Sequence, residues 1–366
     1  MTDLTIRNDE QVIFALRSLY EKYGYSQYKM TKFEEYDLYV RNKDFLISDN
    51  IITFNDTNGK LMALKPDVTL SIIKNNQDRK SSVRKVYYNE NVYRVSKGTN
   101  SYKEIMQVGL ECLGDIDGYC LAEVLSLAAE SLKSISDECI LSVSNLDIIS
   151  YVLDKENVSA DIRSDVMRLI GEKNLHELAA LCESAEISSD GAAVLAELTS
   201  LHGKPDAVTP TLKVLLPDCE EITKLEAILN AVSPELKDII EIDFSITSDS
   251  KYYNGFTFKG YVSSITGSVL SGGQYDKLMQ RMKQKSKAVG FAIYMDMLES
   301  LNENFSEYDV DTVLLYDEKA DITALNAAVK ELTDSRASVM ALKNVPEKLK
   351  YRELMKFDGK EAKPCE

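Results

Sequence analysis

An anion and a hydroxyl stand two residues apart in Leu64-Lys65-Pro66-Asp67-Val68-Thr69, where an apolar run ends, Pro66 sets a turn and a helical pattern begins. Asp67 and Thr69 together suit an ammonium group, although Asp67 reads equally as a cap on that helix. A second polar set lies in residues 86–114. Arg94 ends one strand pattern there, a polar loop turns, and Met106, Val108 and Leu110 alternate with Gln107, Gly109 and Glu111. Alternate residues of a strand share a face, so Gln107 and Glu111 form either the floor of a polar pocket or a solvated sheet face. A third segment, Lys251-Tyr252-Tyr253-Asn254-Gly255-Phe256-Thr257-Phe258, is an aromatic strand leading to Ser271-Gly272-Gly273-Gln274-Tyr275-Asp276. Its paired glycines either let a ligand approach the backbone or make a turn. A fourth, residues 288–293, is an apolar strand-to-helix passage in which Gly290 implies tight packing. None of the four is a metal or nucleophile site, and by themselves they justify a small-molecule pocket on a sheet.

The elements that must carry these residues follow from periodicity and turn chemistry. Asn8 with Gln11 reads as a capping box, and Val12, Leu16, Leu19, Tyr20 and Tyr23 share a helical face that Gly24 closes. Short apolar runs at 44–47, 51–54 and 61–64, the last two split by Asn55-Asp56-Thr57-Asn58-Gly59, read as antiparallel strands and a hairpin. A helix over 68–75, strands at 85–93 and 102–113, a helix after Asp117 and a strand at 139–143 follow. From 145 to 233 helix follows helix, with Ser159 as a cap. Strands resume at 239–246, 252–258 and 262–270, a helix is expected over 288–301, and after a polar linker 310–316, 322–332 and 338–342 spell β-α-β. The charged end should fray.

The expected class is therefore α+β, with an antiparallel sheet flanked by helices. Its divisions are a core first part (1–144), an all-helical insert (145–233), a core second part (234–301) and a small, truncated α/β C-terminal region (309–366). The 366 residues carry 43 basic against 59 acidic side chains, a formal charge of −16, which disfavours tRNA or DNA contact. No run is apolar enough to cross a bilayer. Residues 1–8 lack the apolar core of a secretory signal, so a cytoplasmic location is expected. Six scattered cysteines without a CxxC pair and two histidines, His176 and His202, argue for buried thiols and no metal.

In this order the four segments resemble the catalytic core of histidyl-tRNA synthetase, a class II synthetase, over roughly residues 5–301 by the spacing of its motifs. Residues 64–69 resemble that family's Leu-Arg-Pro-Glu-Gly-Thr, 88–114 its motif 2, 252–258 its histidine-specific aromatic strand, 272–278 its Gly-Gly-Arg-Tyr-Asp-Gly-Leu, and 288–293 the start of motif 3. The resemblance implies that Asp67, Thr69 and Gln107 hold a substrate ammonium, with Asp67 one methylene shorter than the family's glutamate. It implies that Glu111 and Tyr253 recognise imidazole, that Tyr252 belongs to the same histidine-binding set, that Tyr275 is an aromatic wall, and that Arg94 is the motif 2 arginine. Three activating positions depart from the pattern: Ser248 replaces an arginine, Ser96 a glutamate, and Met297 the motif 3 arginine that binds ATP phosphates. Loss of one such cation costs on the order of 10²- to 10³-fold in rate, so synthesis is expected to be lost and no catalytic residue is assigned.

A histidine pocket without activation chemistry resembles the regulatory subunits of ATP phosphoribosyltransferase, the enzyme that joins ATP to phosphoribosyl pyrophosphate in the first step of histidine biosynthesis. That resemblance implies a short-form catalytic subunit as partner, and a synthetase-like dimer of this chain within a hetero-oligomer, a hetero-octamer. It also implies histidine as feedback effector, no cofactor, no tRNA and no membrane. A paralogue serving another complex, and an active synthetase, are the alternatives.

Overall fold

The computed structural model describes residues 8–43, 46, 51–76, 82–95, 101–247, 252–301, 308–335 and 338–365. The chain divides into two compact units, Met1–Leu301 and Asn302–Glu366.

The first unit is built on a nine-stranded sheet. Its centre is an antiparallel series in which Val83–Val95 pairs with Tyr102–Gly114, that strand with Lys287–Tyr294, then Ser268–Gln274, Asn254–Val262 and Cys139–Asn145. The sheet is not purely antiparallel as expected. Ser26–Gln27 joins Val83–Val95 in parallel, and Ile240–Asp243 joins Cys139–Asn145 in parallel, because in each case a long crossover, through the small sheet and two short helices in the first and through the helical stretch in the second, returns the chain in the same direction.

One face of this sheet is covered by Asn8–Lys22 and Gly118–Ile135. Leu16, Tyr20, Val124, Leu125, Ala128 and Leu132 pack there against Val108, Leu110, Phe258 and Phe291. Asp117 opens the second helix by accepting the Cys120 amide at 2.9 Å, satisfying a donor that lacks an intrahelical partner. Helices from Leu146–Lys155 to Pro234–Lys237 extend the same core, so the helical stretch is continuous with the sheet's apolar face. It is not wholly helical: His202–Gly203 forms a short strand against Ile240–Asp243. The opposite face has a second core of Tyr39, Leu70, Ile72, Val86, Tyr88, Leu113 and Leu278, roofed by helix Thr69–Lys74 and a small sheet of Phe33–Glu35, Leu61–Leu64 and Thr53–Asn55.

Three expectations fail for identifiable reasons. Residues 288–301 are not a helix. Val289, Phe291 and Ile293 alternate with small residues, and both edges of Lys287–Tyr294 find ladder partners, so a strand forms and only Met295–Leu301 coils, as a 3₁₀ turn. The strand expected over 262–270 is split, since Asn254–Val262 ends where a turn through Gly267, at φ 98°, leads into Ser268–Gln274. The charged C-terminal stretch is ordered rather than frayed. In the second unit Val310–Leu315 lies between Val339–Leu342 and Tyr351–Phe357, all parallel, and Ala362–Pro364 adds an antiparallel edge, with Met355 and Phe357 buried against helix Ile322–Asp334. Residues 44, 45 and 47, part of one expected strand, lie outside the described residues.

Five cysteines are buried and Cys365 is exposed, none in a disulfide, and both histidines are exposed. No described helix is long and apolar enough to cross a membrane.

Candidate functional site

The face of the sheet away from its large helices carries a cavity of about 240 Å³, smaller than the roughly 300–1,000 Å³ typical of drug-sized ligand sites and suited to a molecule of amino-acid size. Several stretches of chain, far apart in sequence, close it. Glu111 and Gln107 rise from Tyr102–Gly114, Tyr252, Tyr253 and Tyr275 form a wall, and Asp67, Thr69 and Arg94 come from the loop and strand end above. All eight residues that the resemblance assigns to histidine binding line one cavity.

Glu111 is the centre of the floor and is 2% exposed. The Thr69 hydroxyl donates to its Oε1 at 2.6 Å and the Tyr275 hydroxyl to its Oε2 at 2.5 Å. Burial nonetheless pushes its pKa up to about 8, the two hydrogen bonds offsetting only part of that and the nearby Asp67 adding to it. Burial also raises Asp67, opposed by the Leu70 amide and by Arg94. Asp67 does cap its helix, accepting the Leu70 amide at 2.9 Å, and it faces the cavity as well, so both readings of that residue hold. Tyr88, Tyr252 and Tyr275 are driven well above the ordinary phenol value, by burial first and then by the carboxylates, so they stay protonated donors. Two buried carboxyls that resist ionisation when empty favour a ligand bringing positive charge or N–H donors.

The loop holding Asp67 is tied to strand Val83–Val95 at three points. The Tyr93 amide donates to the Lys65 carbonyl at 2.9 Å, Arg94 Nε donates to the Pro66 carbonyl at 3.1 Å, and the buried Lys65 ammonium pairs with Glu90. Glycines make the floor accessible. A Cβ on Gly290 would collide with Glu111 Oε2 and with the Leu110 carbonyl, and one on Gly109 with the Tyr88 hydroxyl. Gly272-Gly273 is strand, not turn, and a Cβ on Gly272 would meet the Phe258 ring at 2.6 Å.

Sequence reasoning missed Tyr88, Lys259, Ser271 and Tyr294, which also line the cavity. The signal for Tyr88 was its register opposite Gly109, visible only once the hairpin is paired. Met297 does not line the cavity and sits half-buried beside the large core. Ser96 and Ser248 lie outside the described residues.

A largely antiparallel sheet with helices on one face and a polar cavity on the other is the plan of a histidyl-tRNA synthetase-like fold. The histidyl-tRNA synthetase family matches residues 4–298, and the chain belongs to that family. Among its relatives, the ATP phosphoribosyltransferase regulatory subunit of Oceanobacillus iheyensis is 25% identical over 297 residues, covering 79% of this chain and 73% of its own. The histidine–tRNA ligase of Methanococcus vannielii is 28% identical over 334 residues, covering 86% of this chain and 77% of its own. A crystal structure from Bacillus halodurans C, described as an ATP phosphoribosyltransferase regulatory subunit/histidyl-tRNA synthetase, superposes with a TM-score of 0.77 at 19% identity, covering 95% of this chain and 93% of that one, which establishes the shared fold.

Proposed function

We propose that this chain is a regulatory subunit of ATP phosphoribosyltransferase, needed for activity of a short-form catalytic subunit, and that its cavity binds free histidine as feedback effector. The observation that carries the reading is the convergence of Asp67, Thr69, Gln107, Glu111 and the tyrosines on one amino-acid-sized cavity. Glu111 accepts an imidazole N–H and sets the ring tautomer, with Thr69 and Tyr275 holding its carboxylate in place. Asp67 and Gln107 receive the ammonium. Synthetase activity is lost, because the family's arginines are replaced by Ser248 and Met297, leaving no cation at those positions for triphosphate.

Inhibition then requires that histidine bind two arrangements of the complex with different affinity, since an equal binder shifts nothing, and a coupling of about 1 to 3 kcal/mol suffices. The test is reconstitution with a short-form catalytic subunit. Activity should appear only with this chain and fall on titration of histidine. Unchanged activity while calorimetry registers bound histidine would reject the feedback role. Histidine-dependent pyrophosphate exchange by the chain alone would instead make it a synthetase.

A further inference from the structure

The floor of the cavity changes height along a single strand. On Lys287–Tyr294 the residues that face the cavity are Gly290, Ala292 and Tyr294, running from no side chain through a methyl group to a phenol. Strand register sets these three in successive rows. Glu111, Gly290 and Gly273 stand abreast, then Gly109, Ala292 and Ser271, and then Gln107 beside Tyr294. Along this strand the floor is therefore lowest next to Glu111 and rises at Tyr294. Tyr294 is half-buried, and it lies within electrostatic reach of Tyr88, whose hydroxyl stands over Gly109 in the middle row.

Gln107 fixes what lies next to that phenol. In the ladder it is flanked by Glu90 on one side and Tyr294 on the other, each about 5 Å away between Cα atoms. The Glu90 side is closed. Glu90 pairs with Lys65, itself 1% exposed, and the loop that carries Asp67 is tied to the same strand as Glu90 through Arg94. With imidazole held at Glu111, two rows away, and the ammonium received by Asp67 and Gln107, the remaining polar group on the α-carbon faces Tyr294. That group is the carboxyl.

We infer that Tyr294 is a specificity residue that ends the cavity just past the α-carboxyl of the ligand, so that the site takes free histidine and refuses a histidyl group joined through that carboxyl to anything larger. The inference rests on the proposed histidine site and deepens it. Tyr294 belongs to an interior strand paired on both sides, so its backbone cannot withdraw, and forcing extra atoms against a packed wall costs affinity. An effector site built this way responds to the free amino acid and not to peptides that begin with histidine.

The test is calorimetry of the full chain with histidine and with three analogues graded at the α-carbon: histamine, which carries nothing there, histidinamide, and histidyl-glycinamide. The two amides have the same charge, so their comparison reads size alone. Wild type should bind histidyl-glycinamide about 10- to 200-fold more weakly than histidinamide, the range over which a filled pocket rejects excess bulk. In Tyr294→Ala that difference should close, through a gain for histidyl-glycinamide, while histamine changes little. Tyr294→Phe should keep the difference, and Tyr294→Leu should narrow it if the alanine variant does not fold. Equal wild-type affinity for the two amides overturns the assignment without any variant. So does an undiminished difference in a folded Tyr294→Ala or Tyr294→Leu protein that still binds histidine. Absence of binding by histidine and all three analogues overturns the histidine site itself and this inference with it.

Discussion

The two faces of the central sheet are built from the same strands and do opposite work. On Tyr102–Gly114, Val108, Leu110 and Cys112 point into an apolar core under two long helices, while Gln107 and Glu111 point into the cavity. Lys287–Tyr294 repeats the division, with Val289, Phe291 and Ile293 inward and Gly290, Ala292 and Tyr294 toward the cavity. Period-two alternation thus lets one strand hold the fold with half its side chains and present chemistry with the other half. The burial of Glu111 and Asp67 costs stability that the apolar face must offset.

The sharpest way to break this comparison is to truncate on each face. Leu110→Ala removes a side chain with no exposed surface and should cost about 2 to 5 kcal/mol in denaturant unfolding, leaving relative affinities for histidine and histamine unchanged. Glu111→Ala should do the reverse, lowering histidine affinity by on the order of 100-fold in calorimetry. A wild-type affinity for that variant would contradict the role given to Glu111. Gly290→Ala tests the seam between the faces. Its methyl would press on both Glu111 and the Leu110 carbonyl, so a loss of about 1 to 3 kcal/mol in stability should accompany weakened binding.

A pH titration sharpens the same contrast. Folding raises the Glu111 pKa from its ordinary 4.5 to about 8, so the folded chain keeps a proton that the unfolded chain releases. Its contribution to stability is therefore greatest below the unfolded value and declines as pH rises toward 8. Between pH 5 and 8 the unliganded wild type should lose melting temperature relative to Glu111→Gln, which has no such proton to lose; parallel curves would rule this out. The smallest effect expected is from Thr69→Val or Tyr275→Phe. Each removes one neutral donor from the Glu111 carboxylate and should weaken histidine binding about 3- to 10-fold.

Much of this was legible in the chain itself. The polar residues of the cavity stood out because the motifs around Asp67, Gln107, Glu111, Tyr253 and Tyr275 come in a recognisable order, and local alternation placed Gln107 and Glu111 on one face. Strand against helix over 288–301 was misread, since a short apolar run with a glycine fits either period until its neighbours are known. The strand Tyr351–Phe357 was hidden because Arg352 and Lys356 on its exposed side masked Met355 and Phe357 on the other.

The sequence by itself determined which side chains alternate and which cations of the synthetase pattern are missing, because those depend on neighbours a few residues away or on residue identity alone, whereas Ser159, expected as a cap, stands at its helix start without a side-chain cap hydrogen bond. Only the tertiary structure decided that Tyr88 fills the space left by Gly109, that Gly290 leaves room for Glu111, and that Lys259 stands over the same cavity. Those relations join residues far apart in sequence through strand register, and register is settled when the apolar face finds its helices.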